Sequence, residues 1–405
     1  MLQLDMVQTV AFGGVALMAG YLLRNLIPVL GRLNMPASVL GGLLVSVVMW
    51  IGYSRDVRLA TFDTTLQSPL MIAFFTTVGF GASLSMLRVG GPLVVKFLIL
   101  ATGFAVLQNV LGVAIALLFG LDPLFGVLAG SVTLTGGPAT GLAFAPLFEE
   151  AGVPAAASVA VAVAMAGIVS GALVGGPVAT WLIHKNRLHG RGGPLRTAPA
   201  LPVEPPPDLV TAGGGAEDDD EVLPLLKNIV TLLVAMWLGS YVSQGFALLG
   251  ITLPAYIGAM LVAAVIRNID DWTGWFGLSH RVLDTLGAVS LSLFLVLALM
   301  NLRLWELAGL ALPLVIGLAA QVVMIIFGTV LVFRRMGRDY EAAVMSGGFI
   351  GFMLGTTANA MAVMRALVER YGAAPRAFLV APLVGAFFLD FLNALIITAG
   401  LNLLR

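Results

Sequence analysis

The sequence predicts an all-α integral membrane protein. It calls for ten transmembrane helices in two inverted five-helix halves, each half carrying a re-entrant hairpin. Three observations predict this. First, the 405 residues are 59% hydrophobic and 10% charged, with a mean hydropathy of +1.02; a soluble domain carries roughly 25% charged residues. Second, long charge-free intervals such as residues 151–184 and 228–266 supply the ~20 apolar residues a bilayer-crossing helix needs. Third, motifs of the first half recur in the second at an offset of 217–220 residues.

Composition also excludes function classes. A chain so poor in charge does not cover a soluble surface, which excludes an ordinary soluble enzyme. Lys+Arg and Asp+Glu number 21 each, so the net charge is zero; nucleic acid, which wants a basic surface, is not an expected partner. Cysteine is absent, which removes disulfides, thiol catalysis and Cys-zinc sites. His184, His189 and His280 fall in polar stretches, so no intramembrane His metal site is expected, and no Ser/His/Asp constellation suggests an enzyme. The N-terminus, MLQLDMVQTV, lacks the basic n-region of a signal peptide, and its apolar run reads as a retained span.

In order, the first half (1–184) holds spans at 7–23, 36–53, 69–87, 94–120 and 155–183. Residues 185–223 are rich in Pro and Gly and end in an acidic run; they read as a flexible linker. The second half (224–405) holds spans at 226–245, 253–267, 284–301, 306–333 and 377–402, the first two divided at Gly245 and Pro254. Residues 122–150 and 339–368 are too apolar for loops and too broken by Gly and Pro for simple spans. Irregular backbone at membrane depth survives only where protein or a wet cavity surrounds it, so both read as re-entrant hairpins.

Orientation follows from the bias of Lys and Arg toward the cytoplasm. With the linker cytoplasmic, 17 of the 21 cations fall on that side; Arg55, Arg58, Arg303 and Arg405 fall outside. Both termini are then outside, the first hairpin opens outward and the second inward. The halves match in order: Pro36-Ala37-Ser38-Val39 with Pro254-Ala255-Tyr256-Ile257, Asp122 with Asp339, Gly137 with Gly355, and Leu147-Phe148-Glu149 with Leu367-Val368-Glu369. Five spans per half invert the second relative to the first, the pattern of secondary transporters whose broken elements meet near the midplane.

The hairpin tips are the candidate binding site. The first offers Thr135, Gly136, Gly137 and Thr140 around Pro138; the second offers Gly355, Thr356, Thr357 and Asn359, with Arg365 two turns along. A half-helix N-terminus carries free N–H donors and partial positive charge, which suits a carboxylate. Arg365 would add a fixed cation. Asp390 stands in an apolar stretch with Asn393 one turn on; a carboxylate at that depth is costly and usually functional. Asp390, Asn393, Asn109 and Ser290 are the candidate cation ligands. Gln108, Asn109 and Gln321 leave two readings open: ion ligation, or hydrogen bonds between helices worth about 0.6 kcal/mol each.

At these residues the chain resembles the bacterial glutamate:sodium symporter family. The likeness is carried by Pro69-Leu70-Met71 with AFFTTVG, by Gln108-Asn109, and by LDPLFGVLAGSVTLTGG. It continues through GGPVA at 175–179, VSLSLFL with ALMNLRLWELAGLALP, and YGAAPRAFLVAPLVGAFFLDFLNALI. The resemblance implies sodium-coupled uptake of L-glutamate, re-entrant loops meeting at the substrate, and a homodimer in the cytoplasmic (inner) membrane among its lipids. A more distant likeness to the sodium-coupled hydroxycarboxylate carriers implies an elevator-type movement. At the tips the chain departs from the family pattern, with Pro138-Ala139 for His-Gly and Arg365 for a common Gln. The expectation is therefore a symporter, not an enzyme, for glutamate or a related small anionic amino acid or dicarboxylate. The alternative is a proton- or sodium-coupled carrier of a different organic anion.

Overall fold

The computed structural model describes residues 2–57, 59–189, 219–248 and 253–404. Most of the predicted linker, with the start of its acidic run, lies outside the described residues. Nearly all of the rest is helical. The chain runs through α1 (Met6–Leu26), α2 (Pro28–Arg32), α3 (Ala37–Tyr53), α4 (Gln67–Phe80) and α5 (Leu84–Leu118). The first hairpin is α6 (Pro123–Val127), a π-helical segment (Leu128–Val132) and α7 (Gly137–Glu150). Then come α8 (Ala156–Lys185), α9 (Asp219–Leu248), α10 (Ala255–Thr273), α11 (His280–Met300) and α12 (Ala311–Arg335). The second hairpin is α13 (Tyr340–Met353) and α14 (Thr357–Tyr371); α15 (Pro375–Leu383) and α16 (Leu389–Leu404) follow, joined by a π-helical segment at Val384–Phe388. Two short strands, β1 (Leu2–Gln3) and β2 (Ala60–Thr61), pair in parallel and pin the N-terminus to the α3–α4 loop.

Among the described residues, six helices are long and apolar enough to cross a membrane: α1, the part of α5 from Gly91, α8, the part of α9 from Val222, α11 and α12. α3, α4, α16 and the first limb of the first hairpin are shorter apolar helices. The predicted 69–87 span is cut short, because α4 stops at Phe80. Polar groups at the end of α10 hold the turn that follows: Asn268 Nδ2 donates to the Ala82 carbonyl at 2.7 Å, and its Oδ1 accepts the Leu84 N–H at 2.9 Å. Ser83 Oγ donates to Asp271 at 2.6 Å. The helix beginning at Leu84 then breaks at Gly91 ahead of Pro92.

The helices pack as two groups. In one, α1 lies on α3, α3 on α11, α11 on α4, α4 on α10 and α10 on α9. The other holds both hairpins, with α5, α8, α12, α15 and α16 around them. Small residues allow the tightest crossings. A side chain at Gly20 would run into the α3 backbone at Ala37, and one at Gly239 into the α10 backbone at Ala259. The largest apolar core belongs to the second group, where Phe97 and Phe104 of α5 meet Phe349 of α13 edge-on. The Asp339 carboxylate, hydrogen-bonded to the Arg376 guanidinium, raises the guanidinium's pKa above its ordinary value. Arg376 also meets Glu341 at 3.3 Å, fastening the base of the second hairpin to α15.

Candidate functional site

Each hairpin opens on an aspartate. Asp122 caps α6 by accepting the Leu124 N–H at 2.7 Å, and Asp339 caps α13 by accepting that of Ala342 at 2.8 Å. Both use an ordinary N-cap role, worth about 1 kcal/mol. In the first limb the backbone leaves helical geometry at Gly130 (φ −97°, ψ −127°). Asn109 of α5 catches the loosened turn, its Oδ1 accepting the Ser131 N–H at 2.8 Å. Thr133 Oγ1 donates to the Leu128 carbonyl at 2.9 Å. The chain then reverses, and Gly137 takes a left-handed φ of +68° that a side chain would resist. Pro138 fits the first turn of α7, where its missing N–H leaves nothing unbonded. No side chain caps that helix.

At the second tip, Thr356 caps α14 by accepting the Asn359 N–H at 3.4 Å, and Thr357 Oγ1 donates to the Gly385 carbonyl at 3.1 Å. Asn359 is fully buried. Its Nδ2 donates to the Ile168 carbonyl of α8 at 3.2 Å, and its Oδ1 accepts from Asn34 Nδ2 at 3.3 Å.

The two tips touch. A Cβ at Gly137 would stand 3.0 Å from the Thr356 methyl and 3.4 Å from the Gly355 carbonyl oxygen. Gln108 bridges them from α5: its Nε2 donates to the Met353 carbonyl and its Oε1 accepts the Thr135 hydroxyl, both at 2.6 Å. Gln321 of α12 donates to the Gln108 carbonyl at 2.7 Å. Gln108 and Gln321 thus tie elements together, and neither lines the cavity beside the tips.

That cavity measures about 470 Å³. Thr135, Gly136, Pro138, Ala139 and Thr140 from the first tip, and Thr356, Thr357 and Ala358 from the second, form one wall with Phe352 and Asp390. Tyr21 and Arg24 of α1, Ser38 of α3, Phe74 and Phe75 of α4, and Ser292 of α11 form the other. A larger cleft, about 790 Å³, lies at the far end of α7 between Glu149, Ser158, Asn301 and Arg303.

The predicted residues separate on this geometry. Thr135, Gly136, Thr140, Thr356, Thr357 and Asp390 line the cavity. Gly137 and Gly355 make the tip-to-tip contact, and Asn359 anchors the second tip from behind. Arg365 is not brought to the site. It is exposed on the outer face of α14 with Glu369 and Arg370, because the buried stripe at Asn359, Val363 and Leu367 faces the other way. The cation on the wall is Arg24, whose guanidinium also stands 5.6 Å above the Tyr21 ring. Of the candidate cation ligands, Asn109 and Asn393 meet at Ser131, with Asn393 Nδ2 donating to the Ser131 carbonyl at 3.0 Å. Ser290 is buried on α11, in the other helical group. Sequence reasoning passed over Arg24, Ser38 and Ser131. Arg24 looks like any cation at a helix end, and Ser131 carries no signal beyond its place in the hairpin.

A body of membrane-length apolar helices around two hairpins, whose tips share a cavity with a few polar groups among apolar ones, defines an integral membrane transport protein. The chain belongs to the sodium/glutamate symporter family, whose model matches residues 2–373. It is 39% identical over 405 residues to a sodium/glutamate symporter of Escherichia coli (strain K12), covering 100% of this chain and 99% of the relative. A sodium/glutamate symporter of Shigella flexneri matches to the same extent. One of Haemophilus influenzae is 37% identical over 392 residues, covering 96% of this chain and 95% of that protein. The family is one of transporters, not enzymes.

Proposed function

We propose that this protein couples sodium flow to the uptake of L-glutamate, or a related small anionic amino acid or dicarboxylate, across the cytoplasmic membrane. The contact of the two hairpin tips beside one cavity carries the reading. The N-termini of α7 and α14 converge there, and helix N-termini favour a carboxylate. Thr135, Gly136, Gly137, Thr140, Gly355, Thr356 and Thr357 form the carboxylate-binding ground, with Asn359 holding its shape. Arg24 takes the role first given to Arg365, a cation for a second carboxylate, and Asp390 faces the substrate ammonium. The names of the full-length relatives support glutamate and sodium as cargo.

The ten-span, inverted-repeat topology belongs to the same proposal, with halves 1–184 and 224–405 joined by a cytoplasmic linker and both termini outside. Its support is in the packing. The α4-on-α10 contact mirrors α11-on-α3, and the α1–α3 crossing at Gly20 mirrors the α9–α10 crossing at Gly239. The hairpin group would move as the carrier against the α1, α3, α4, α9, α10 and α11 group, with a homodimer formed through the latter. The test is uptake into proteoliposomes. A sodium gradient that leaves glutamate, aspartate and small dicarboxylate accumulation unchanged would sink the reading.

A further inference from the structure

We propose that Ser131, Asn393 and Asn109 form the sodium site: an uncharged oxygen cage behind the first tip, separate from the substrate cavity. The proposal rests on the sodium-coupled reading above and gives the ion its place.

Two buried oxygens lack any partner there. Ser131 and Asn393 are fully buried, and neither Ser131 Oγ nor Asn393 Oδ1 has a hydrogen-bond donor. Buried polar atoms in native proteins are nearly always bonded, so orphans require an explanation. The orientation of the Asn393 amide is not arbitrary. Its Nδ2 donates to the Ser131 carbonyl at 3.0 Å, which makes the free atom the oxygen. The two orphans therefore sit on residues tied directly to each other.

A third oxygen joins them. Asn109 Oδ1 already touches the Ser131 N–H at 2.8 Å and retains a lone pair. The same turn leaves helical geometry at Gly130, inside the π-helical segment. The carbonyls of this turn are engaged, that of Leu128 by the Thr133 hydroxyl and that of Ser131 by the Thr135 and Gly136 N–H groups, so the open oxygens belong to side chains. Hard cations take oxygen ligands, and a cage of neutral oxygens suits a monovalent ion.

Asp390 lines the substrate cavity one turn before Asn393, which does not, so the ion and the substrate meet neighbouring positions of α16. Sodium here would clamp α5, the first hairpin and α16 together, fixing the Thr135–Thr140 tip before substrate docks.

The test uses the full chain, purified and reconstituted, with choline replacing sodium in the titration. Ser131→Ala and Asn393→Leu are each expected to raise the sodium concentration for half-maximal L-glutamate uptake at least tenfold. Thr398→Val removes another unbonded buried hydroxyl from α16 and is expected to shift it less than twofold. Without glutamate, sodium chloride is expected to protect the wild type from thermal unfolding and to protect Ser131→Ala far less. If both cage variants respond at the wild-type sodium concentration, the assignment is overturned, and a water between the two oxygens explains them. If the wild type itself ignores sodium, the symport reading falls and this site with it. Should Asn393→Leu not fold, Ser131→Ala decides, since it deletes one hydroxyl that bonds to nothing in the protein.

Discussion

The Thr135 hydroxyl donates a 2.6 Å hydrogen bond to Gln108 Oε1, so the first hairpin tip is held by the same side chain that holds the second at the Met353 carbonyl. One amide thereby sets the spacing of both tips. Replacing it removes two buried bonds and leaves two groups unsatisfied. Gln108→Leu is expected to lower stability by ~1–3 kcal/mol, given the cost of orphaned buried groups. Helix-to-helix bonds in membranes average only ~0.6 kcal/mol, so the lower end is favoured. The larger effect falls on transport: substrate KM rises while protein yield holds. Thermal unfolding in detergent beside a KM measurement separates the two.

Gly137 offers a sharper case because a control exists. Gly137 and Gly152 both have left-handed φ, +68° and +96°, and alanine at either should cost ~1–2 kcal/mol in backbone strain. Only Gly137 faces the other tip, where a Cβ would stand 3.0 Å from the Thr356 methyl; nothing lies within 4 Å of one at Gly152. Gly137→Ala is expected to reduce uptake tenfold or more. Gly152→Ala is expected to lose stability but keep its KM. Equal transport losses in the two variants would show that strain alone matters.

Arg24 and Arg365 test how far sequence reasoning reached. Arg24 lines the cavity and Arg365 points away from it. Arg24→Gln is expected to raise the KM for glutamate about tenfold, roughly the 1.4 kcal/mol that a charge-assisted bond supplies. It should matter less for glutamine, which lacks the second carboxylate. Arg365→Gln is expected to leave both KM values within twofold. The reverse pattern in competition assays would restore Arg365 to the site.

That contrast explains what was legible. The chain itself marks its apolar runs by the absence of charge and its hairpins by Gly and Pro. Asp122, Asp339, Gly137 and Thr356 therefore stand where local chemistry put them. Arg24, Ser38 and Tyr21 come from helices of the other packed group, and their meeting with the tips is purely tertiary. Arg365 lies two turns along α14 from the tip, and the rotation of the helix turns it away from the buried stripe at Asn359, Val363 and Leu367. Ser131 was invisible for another reason: its importance lies in what it fails to bond.

Asn34 makes a hydrogen bond across the boundary between the two helical groups. It precedes α3 with a left-handed φ of 55°, a geometry asparagine tolerates better than most residues, and donates to Asn359 Oδ1 at 3.3 Å. If the hairpin group moves against its neighbours, this bond breaks in every cycle, so it stabilises the state with the tips beside α1 and α3. Asn34→Ala is expected to depopulate that state severalfold, since one neutral bond contributes about 0.5–1.5 kcal/mol. The absence of native cysteine makes the measurement clean. A single Ser38→Cys on the cavity wall reports access to the site by its rate of maleimide labelling from either side of the membrane. In the Asn34→Ala background that rate should change severalfold, while the labelling of an exposed control cysteine at Ser54 should not. An unchanged Ser38→Cys rate would mean that the Asn34–Asn359 bond travels with the hairpins, and that the boundary between moving and fixed helices lies elsewhere.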